Sequence, residues 1–329
     1  MNFSRLMGLA TGHVEARIVQ TAVELAIFDA LEDSGLSSET VAHRLKLEPK
    51  ATELLLNALA ALDLLHKQGD QFSLAEAAQK YLLRSSPLHV GGMIRFESSV
   101  WNCWEKLPQA IRSGQPVRPA NMYQDDPRET QIFIDAMDFL VNARGDAEVV
   151  ARALEWDGVR EFLDVGSGPA SYPIHLCQKY PELRATIFDL PGTLAHTQRY
   201  VREAAMTERI RLIAGDYRKD PIPGSYDMIF LSNIIHGEGK QENLSLIDKL
   251  TANLKTGGRL VIKDHILDDS RTNPPVGAIF SLLMLLTTAS GRCYSFSEIK
   301  LWMERAGLAN VEQINLPSPL TSSLVIGTR

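Results

Sequence analysis

The chain has 329 residues, 45% of them hydrophobic and 22% charged, a balance that excludes disorder on any large scale. That length exceeds one ordinary core of roughly 100–200 residues, so two domains are expected. A net charge of −6 provides no long-range pull toward phosphate backbones or anionic lipid, which argues against nucleic-acid and membrane partners.

The amino terminus, MNFSRLMGLATGH, lacks the apolar core of a signal peptide, and the most apolar stretch, Val276 to Leu286, is too short for a membrane span. Cys103, Cys177 and Cys293 are odd in number and form no C-x-x-C pair, so neither a disulfide framework nor a zinc site is expected. A reducing, cytoplasmic setting fits them.

Residues 13–31 place Ile18, Ala22, Leu25 and Ala26 at helical spacing. Ser37-Ser38-Glu39-Thr40 reads as a helix start leading into VAHRL, and Pro49 opens a second helix, KATELLLNALAALDLL. Gly69-Asp70 then makes a turn before QFSLAEAAQKYLL. Helix, helix, turn and short strand make a winged-helix-like order. Six Lys or Arg and six Asp or Glu lie between Ser37 and Ser85, leaving no basic face for a DNA backbone. The apolar surplus of Leu54, Leu55, Leu56, Leu59 and Leu62 points instead to packing on a second copy.

Residues 86–156 read as helices broken by a Pro-rich loop, QPVRPANMYQDDP. From residue 160 short β-rich runs alternate with helices: EFLDV, ATIFDL, IRLIAG, YDMIFLSN, RLVIKD, VEQINL and SSLVIGT. The alternation predicts an α/β fold with a mainly parallel seven-stranded sheet, covered by helices on both faces. Ligands of such sheets lie beyond the carboxyl ends of the strands, where strand order reverses.

The first strand ends in Asp164-Val165-Gly166-Ser167-Gly168, whose glycines allow a sharp turn and close approach of a ligand. A dinucleotide fingerprint would need a third glycine where Ser171 stands. Asp189 closes the second strand, 21 residues beyond Gly168, a spacing at which an acid accepts from both ribose hydroxyls of an adenosine. After the third strand, Asp216 offers an acceptor for an adenine amino group and Tyr217 an aromatic face. His236 follows the fourth strand, and Asp264 ends the fifth, with the adjacent His265 expected to point to the opposite side if the strand continues. If those strands are neighbours, the carboxylate can fix the imidazole tautomer of a general base.

The runs FLDVGSGPASYPIHL, IFDLP, GDYRKDPIP, YDMIFLSNIIH and GGRLVIKD, in this order and spacing, resemble the small-molecule O-methyltransferases of plants and bacteria. These include the caffeic acid and chalcone methylating enzymes and the bacterial polyketide O-methyltransferases. The resemblance implies a Rossmann-like catalytic domain over 157–329, a winged-helix-like dimerisation domain over 1–100 and a helical linker over 101–156 that contributes to the substrate pocket. It implies S-adenosylmethionine as cofactor and a homodimer acting on a small hydroxylated, aromatic molecule. Asp164, Gly166, Gly168, Asp189, Asp216, Tyr217 and Ser232 are then the cofactor residues. His236 is the base and Asp264 its orienter. Trp101, Phe139, Phe280, Met284 and Cys293 are the expected pocket residues. No metal is expected, because Ser232-Asn233 offers no carboxylate cluster.

Three departures from the family stand out. Cys293 replaces a second acid on the histidine. Gly237-Glu238 stands where many members read Asp-Trp, and Ser232 where a lysine is frequent. They leave open methylation at carbon, nitrogen or sulfur, or a non-methylating use of the sulfonium. A DNA-binding regulator and an NAD-dependent dehydrogenase are more distant alternatives.

Overall fold

The computed structural model describes residues 1–33, 35–120 and 123–329. It divides into two compact units, Met1–Trp101 with Asp135–Ala143, and Asn102–Ile134 with Arg144–Arg329.

The first unit holds α1 (Phe3–Glu24), α2 (Ile27–Ala30), β1 (Leu36–Ser37), α3 (Ser38–Leu45), α4 (Pro49–Ala61), β2 (Leu65–Gln68), β3 (Gln71–Leu74), α5 (Glu76–Tyr81) and α6 (Gly91–Ser99). The start signals act where the sequence places them. Ser37 caps α3 by accepting the Thr40 N–H, and Pro49 occupies the first turn of α4, where a missing N–H costs nothing. Two expectations need correction. The helix expected over 13–31 begins at Phe3 and is interrupted, because Ala26 turns left-handed at φ 58° and separates α1 from α2. The helix expected to run to Leu65 stops at Ala61, Asp63 turns at φ 57°, and Leu65–Gln68 pairs antiparallel with β3 as the first limb of a hairpin. Ile27, Phe28, Leu31, Leu56, Leu59 and Phe72 form this unit's core.

Between the two stretches of the first unit, α7 (Trp101–Glu105) and α8 (Leu107–Ser113) precede the Pro-rich loop, of which Asn121 and Met122 lie outside the described residues. Then come α9 (Pro127–Arg144) and α10 (Asp146–Ala153).

The second unit continues with β4 (Glu161–Val165), α11 (Ser171–Lys179), β5 (Arg184–Asp189), α12 (Pro191–Glu203), β6 (Ile210–Ala214), β7 (Tyr226–Ser232), α13 (Lys240–Ala252), β8 (Leu254–Asp264), α14 (Pro275–Thr287), α15 (Phe296–Arg305), β9 (Ala309–Asn315) and β10 (Ser323–Thr328). The seven strands run β6-β5-β4-β7-β8-β10-β9. Neighbours from β6 to β8 are parallel, and β10 is antiparallel to both β8 and β9. Met228, Ile229, Phe230 and Leu231 are all buried, as expected for a strand covered on both faces. Strand order reverses between β4 and β7, so the chemistry belongs at the carboxyl ends of those two strands. No helix among the described residues is long and apolar enough to cross a membrane.

Candidate active site

Beyond β4 the chain turns through Gly166 at φ +69° and Gly168 at φ +60°. A β-carbon on Gly166 would lie 2.4 Å from Ile234 Cδ1, so the glycine serves both the turn and the close approach. Ser167 Oγ donates to Asp164 Oδ2 at 2.6 Å. Asp164 is 1% exposed, and its Oδ1 is buried without a hydrogen-bond partner among the described residues. Burial, followed by the nearby Asp189 charge, raises its carboxyl to about 7 against the opposing bond from Ser167.

Asp189, also buried, accepts the Gly168 N–H at 2.9 Å and the Leu190 N–H at 2.7 Å. Burial lifts it to about 6, and those N–H bonds hold it from rising further. The glycine turn and the ribose candidate are thus joined by a direct bond. Asp216 lies two residues past β6, accepts the Arg218 N–H at 2.9 Å and is 3.5 Å from the Lys219 ammonium. Tyr217 donates its hydroxyl to Glu238 Oε1 at 2.7 Å, and its ring packs on the apolar core of the unit.

Adjacent parallel strands β7 and β8 bring His236 and Asp264 together. The imidazole Nδ1 and Asp264 Oδ1 are 2.7 Å apart, and the His236 backbone N–H donates to Oδ2 at 3.3 Å. Asp264 is 1% exposed. Burial works to raise its carboxyl, yet the His236 imidazole and the other donors around it hold it below the ordinary carboxylate range. An ionised Asp264 only accepts, so Nδ1 carries the proton and Nε2 is the basic nitrogen.

Phe280 on α14 meets the His236 ring edge to face, with centroids 4.8 Å apart. His265 was expected to point away if the strand continued. The strand stops at Asp264, and the His265 ring packs on the same Phe280 at 5.0 Å while the His265 backbone N–H donates to Asp264 Oδ1 at 2.7 Å. Met284 and Cys293 are buried. The Cys293 thiol is pushed up to about 12 by burial and then by Asp264. Ser232 ends β7, beside Lys263 of β8 in register. Trp101 and Phe139 belong to the first unit, where Arg17 lies 5.9 Å from the Trp101 ring centre and His89 meets Phe139 edge to face.

Sequence reasoning missed a buried charge cluster. Lys263, 1% exposed, lies 3.3 Å from Asp146, whose carboxylate also takes two bonds from Arg144, at 2.9 and 2.7 Å, and one from the Tyr172 hydroxyl at 3.3 Å. A lysine near a strand end carries no signal of such burial. The partners of Glu238 were missed as well, although its departure from the family pattern had marked the position.

Residues 105–309 match the O-methyltransferase domain and residues 7–84 the O-methyltransferase dimerisation domain. The chain is 30% identical to the tetracenomycin polyketide synthesis 8-O-methyl transferase of Streptomyces glaucescens over 98% of this chain and 96% of that one. It is 29% identical to the 3-hydroxy-5-methyl-1-naphthoate 3-O-methyltransferase of Streptomyces sahachiroi, over 98% and 94%. Among solved structures, PigF with SAH superposes with a TM-score of 0.92 over 100% of both chains at 24% identity, a likeness of fold. The glycine turn, the acids at the strand ends and the domain match together define an S-adenosylmethionine-dependent methyltransferase. The chain belongs to the O-methyltransferase family whose members carry this dimerisation domain, and it is a homodimeric enzyme acting on a small molecule.

Proposed function

We propose that the protein methylates a hydroxyl on an aromatic, polyketide-type molecule in the cytoplasm, with His236 as general base and Asp264 as its orienter. The observation that carries this reading is the 2.7 Å contact between His236 Nδ1 and a buried Asp264. The names of the naphthoate and tetracenomycin relatives support the acceptor class. Three buried free cysteines suit a reducing compartment.

The residues fit the cofactor. Asp164 Oδ1, buried and unpartnered among the described residues, suits the ammonium of a methionine moiety. Gly166 and Gly168 leave room for its chain, with Ser232 close by on β7. Asp189 suits the ribose hydroxyls, and Asp216 with Tyr217 the adenine. When bound, S-adenosylmethionine supplies a methyl group on a cationic sulfur, which leaves as a neutral thioether.

The protein's own work is positioning and proton removal. A phenol of pKa near 10 attacks better as its proton is drawn away, and a positioned base contributes roughly 10²–10⁴-fold. His236 Nε2 takes that proton while the oxygen forms its bond to the methyl carbon. Asp264 keeps the proton on Nδ1 and stabilises the imidazolium. Phe280, against the imidazole, and Met284 beside it on α14 form the wall of the acceptor pocket.

The test is transfer of labelled methyl from S-adenosylmethionine to a panel of hydroxylated aromatic polyketides, with product mass read in parallel. A product heavier by one methylene and cleavable as an ether supports the reading. Cofactor binding without transfer to any hydroxyl sinks it.

A further inference from the structure

We propose that Glu238 is a positioning residue of the cofactor site, a buried strut tying the loop after β6 to the turn after β7 so that Asp216 stays aligned for an adenine amino group. The inference rests on the adenosine reading of Asp216 given above.

In the sheet, β6 and β7 are separated by β5 and β4, so no backbone ladder connects the loops that follow them. Glu238 does. Its Oε1 accepts the Tyr217 hydroxyl at 2.7 Å and Arg218 Nε at 2.7 Å. The residue is 6% exposed, and a buried carboxylate is tolerated only when paired and hydrogen-bonded. Both donors follow Asp216 directly in sequence, and the Arg218 N–H in turn holds Asp216 Oδ1 at 2.9 Å. From α13, Lys249 grips the same loop by the carbonyls of Tyr217 and Asp220, at 2.7 and 2.8 Å. Burial and then the Glu238 charge push the Tyr217 hydroxyl well above its ordinary value, so it stays a donor.

Close packing does not substitute for the strut. Cavities of about 250 and 210 Å³ flank the ion pair, and Arg218, Glu238 and Glu242 line both. With open space beside the Arg218–Glu238 pair, packing on the core holds the Tyr217 ring alone, and the rest of the loop rests on its hydrogen bonds. The carboxylate stands at the position where the family resemblance leads one to expect an indole.

A structural role alone would weaken all ligands equally, whereas alignment of Asp216 discriminates between bases. The experiment is calorimetric binding of S-adenosylhomocysteine and S-inosylhomocysteine, which carries a carbonyl oxygen in place of the adenine amino group. The native homodimer is expected to prefer the adenosyl ligand by roughly tenfold or more, the scale of one buried polar mismatch. Glu238→Ala should bring the two affinities toward parity. Glu238→Gln, which keeps an accepting oxygen, should retain most of the preference. Tyr217→Phe and Arg218→Met each remove one arm of the strut and should reduce the preference partway, which provides the reading if Glu238→Ala fails to fold. A native preference that survives the loss of either arm and of Glu238 overturns the strut alone. Equal binding by the native protein overturns the Asp216 reading and the strut with it.

Discussion

Ser167 holds one oxygen of Asp164 at 2.6 Å, while the other oxygen is buried with no partner among the described residues. The carboxyl is raised from an ordinary 3.8 to about 7 because burial penalises its charge. An acid whose pKa rises on folding adds stability that is present below its unfolded value and lost as pH climbs through its folded one. The contribution of Asp164 to the stability of the cofactor-free enzyme should therefore fall from about pH 4 to pH 7, Asp189 adding one of the same sign up to about 6, while the lowered, buried His89 and His265 act in the opposite sense. Asp164→Asn should flatten that slope, raise the melting temperature at pH 8 and weaken S-adenosylhomocysteine binding. Thermal melts of both proteins across pH check the first two, and an Asp164→Asn variant whose pH dependence matches the native one contradicts the assignment.

Binding an ammonium at Asp164 should ionise it. Near neutral pH, S-adenosylhomocysteine binding should then release protons, measurable by calorimetry in buffers of different ionisation enthalpy, and Asp164→Asn should abolish most of the release. Binding that takes up protons at pH 7 would count against Asp164 as the partner of the amine.

The buried cluster around Asp146 predicts an asymmetry. Asp146→Ala strands the Lys263 ammonium, 1% exposed, and should cost about 3–5 kcal/mol. Lys263→Met leaves Asp146 its two bonds to Arg144 and should cost clearly less. Chemical denaturation of the two variants decides the order, and the reverse order would show that Lys263 holds the cluster together.

Much of this architecture was legible in the sequence because strong local signals and global packing agree. The apolar runs that became β4, β5, β7 and β8 are buried on both faces, and the caps Ser37 and Pro49 act where they stand. That His236 and Asp264 could meet followed from their places at the ends of successive strands, and the family resemblance supplied their expected roles. Legibility failed where a single residue's backbone decides. Ala26 and Asp63 adopt left-handed geometry, which neither side chain announces as a glycine would. The alternation that would send His265 to the opposite side does not apply, because the strand ends at Asp264. The bonds of Glu238 to Tyr217 and Arg218 join loops 20 residues apart in the chain, and no periodicity encodes such a meeting.

Asp264 holds His236 through both the ring and the backbone. Asp264→Asn should preserve the shape while favouring the wrong tautomer, since an amide can donate to Nδ1. Turnover should fall by about 10²–10⁴-fold, with near-native affinity for S-adenosylhomocysteine. Loss of cofactor affinity in step with turnover would instead assign Asp264 to binding.

The most direct test is His236→Ala, with turnover and S-adenosylhomocysteine affinity measured on one preparation. The structure predicts turnover lower by about 10²-fold or more with the dissociation constant nearly unchanged, because proton removal is lost and cofactor contacts are kept. A variant that transfers methyl at the native rate would contradict His236 as the base.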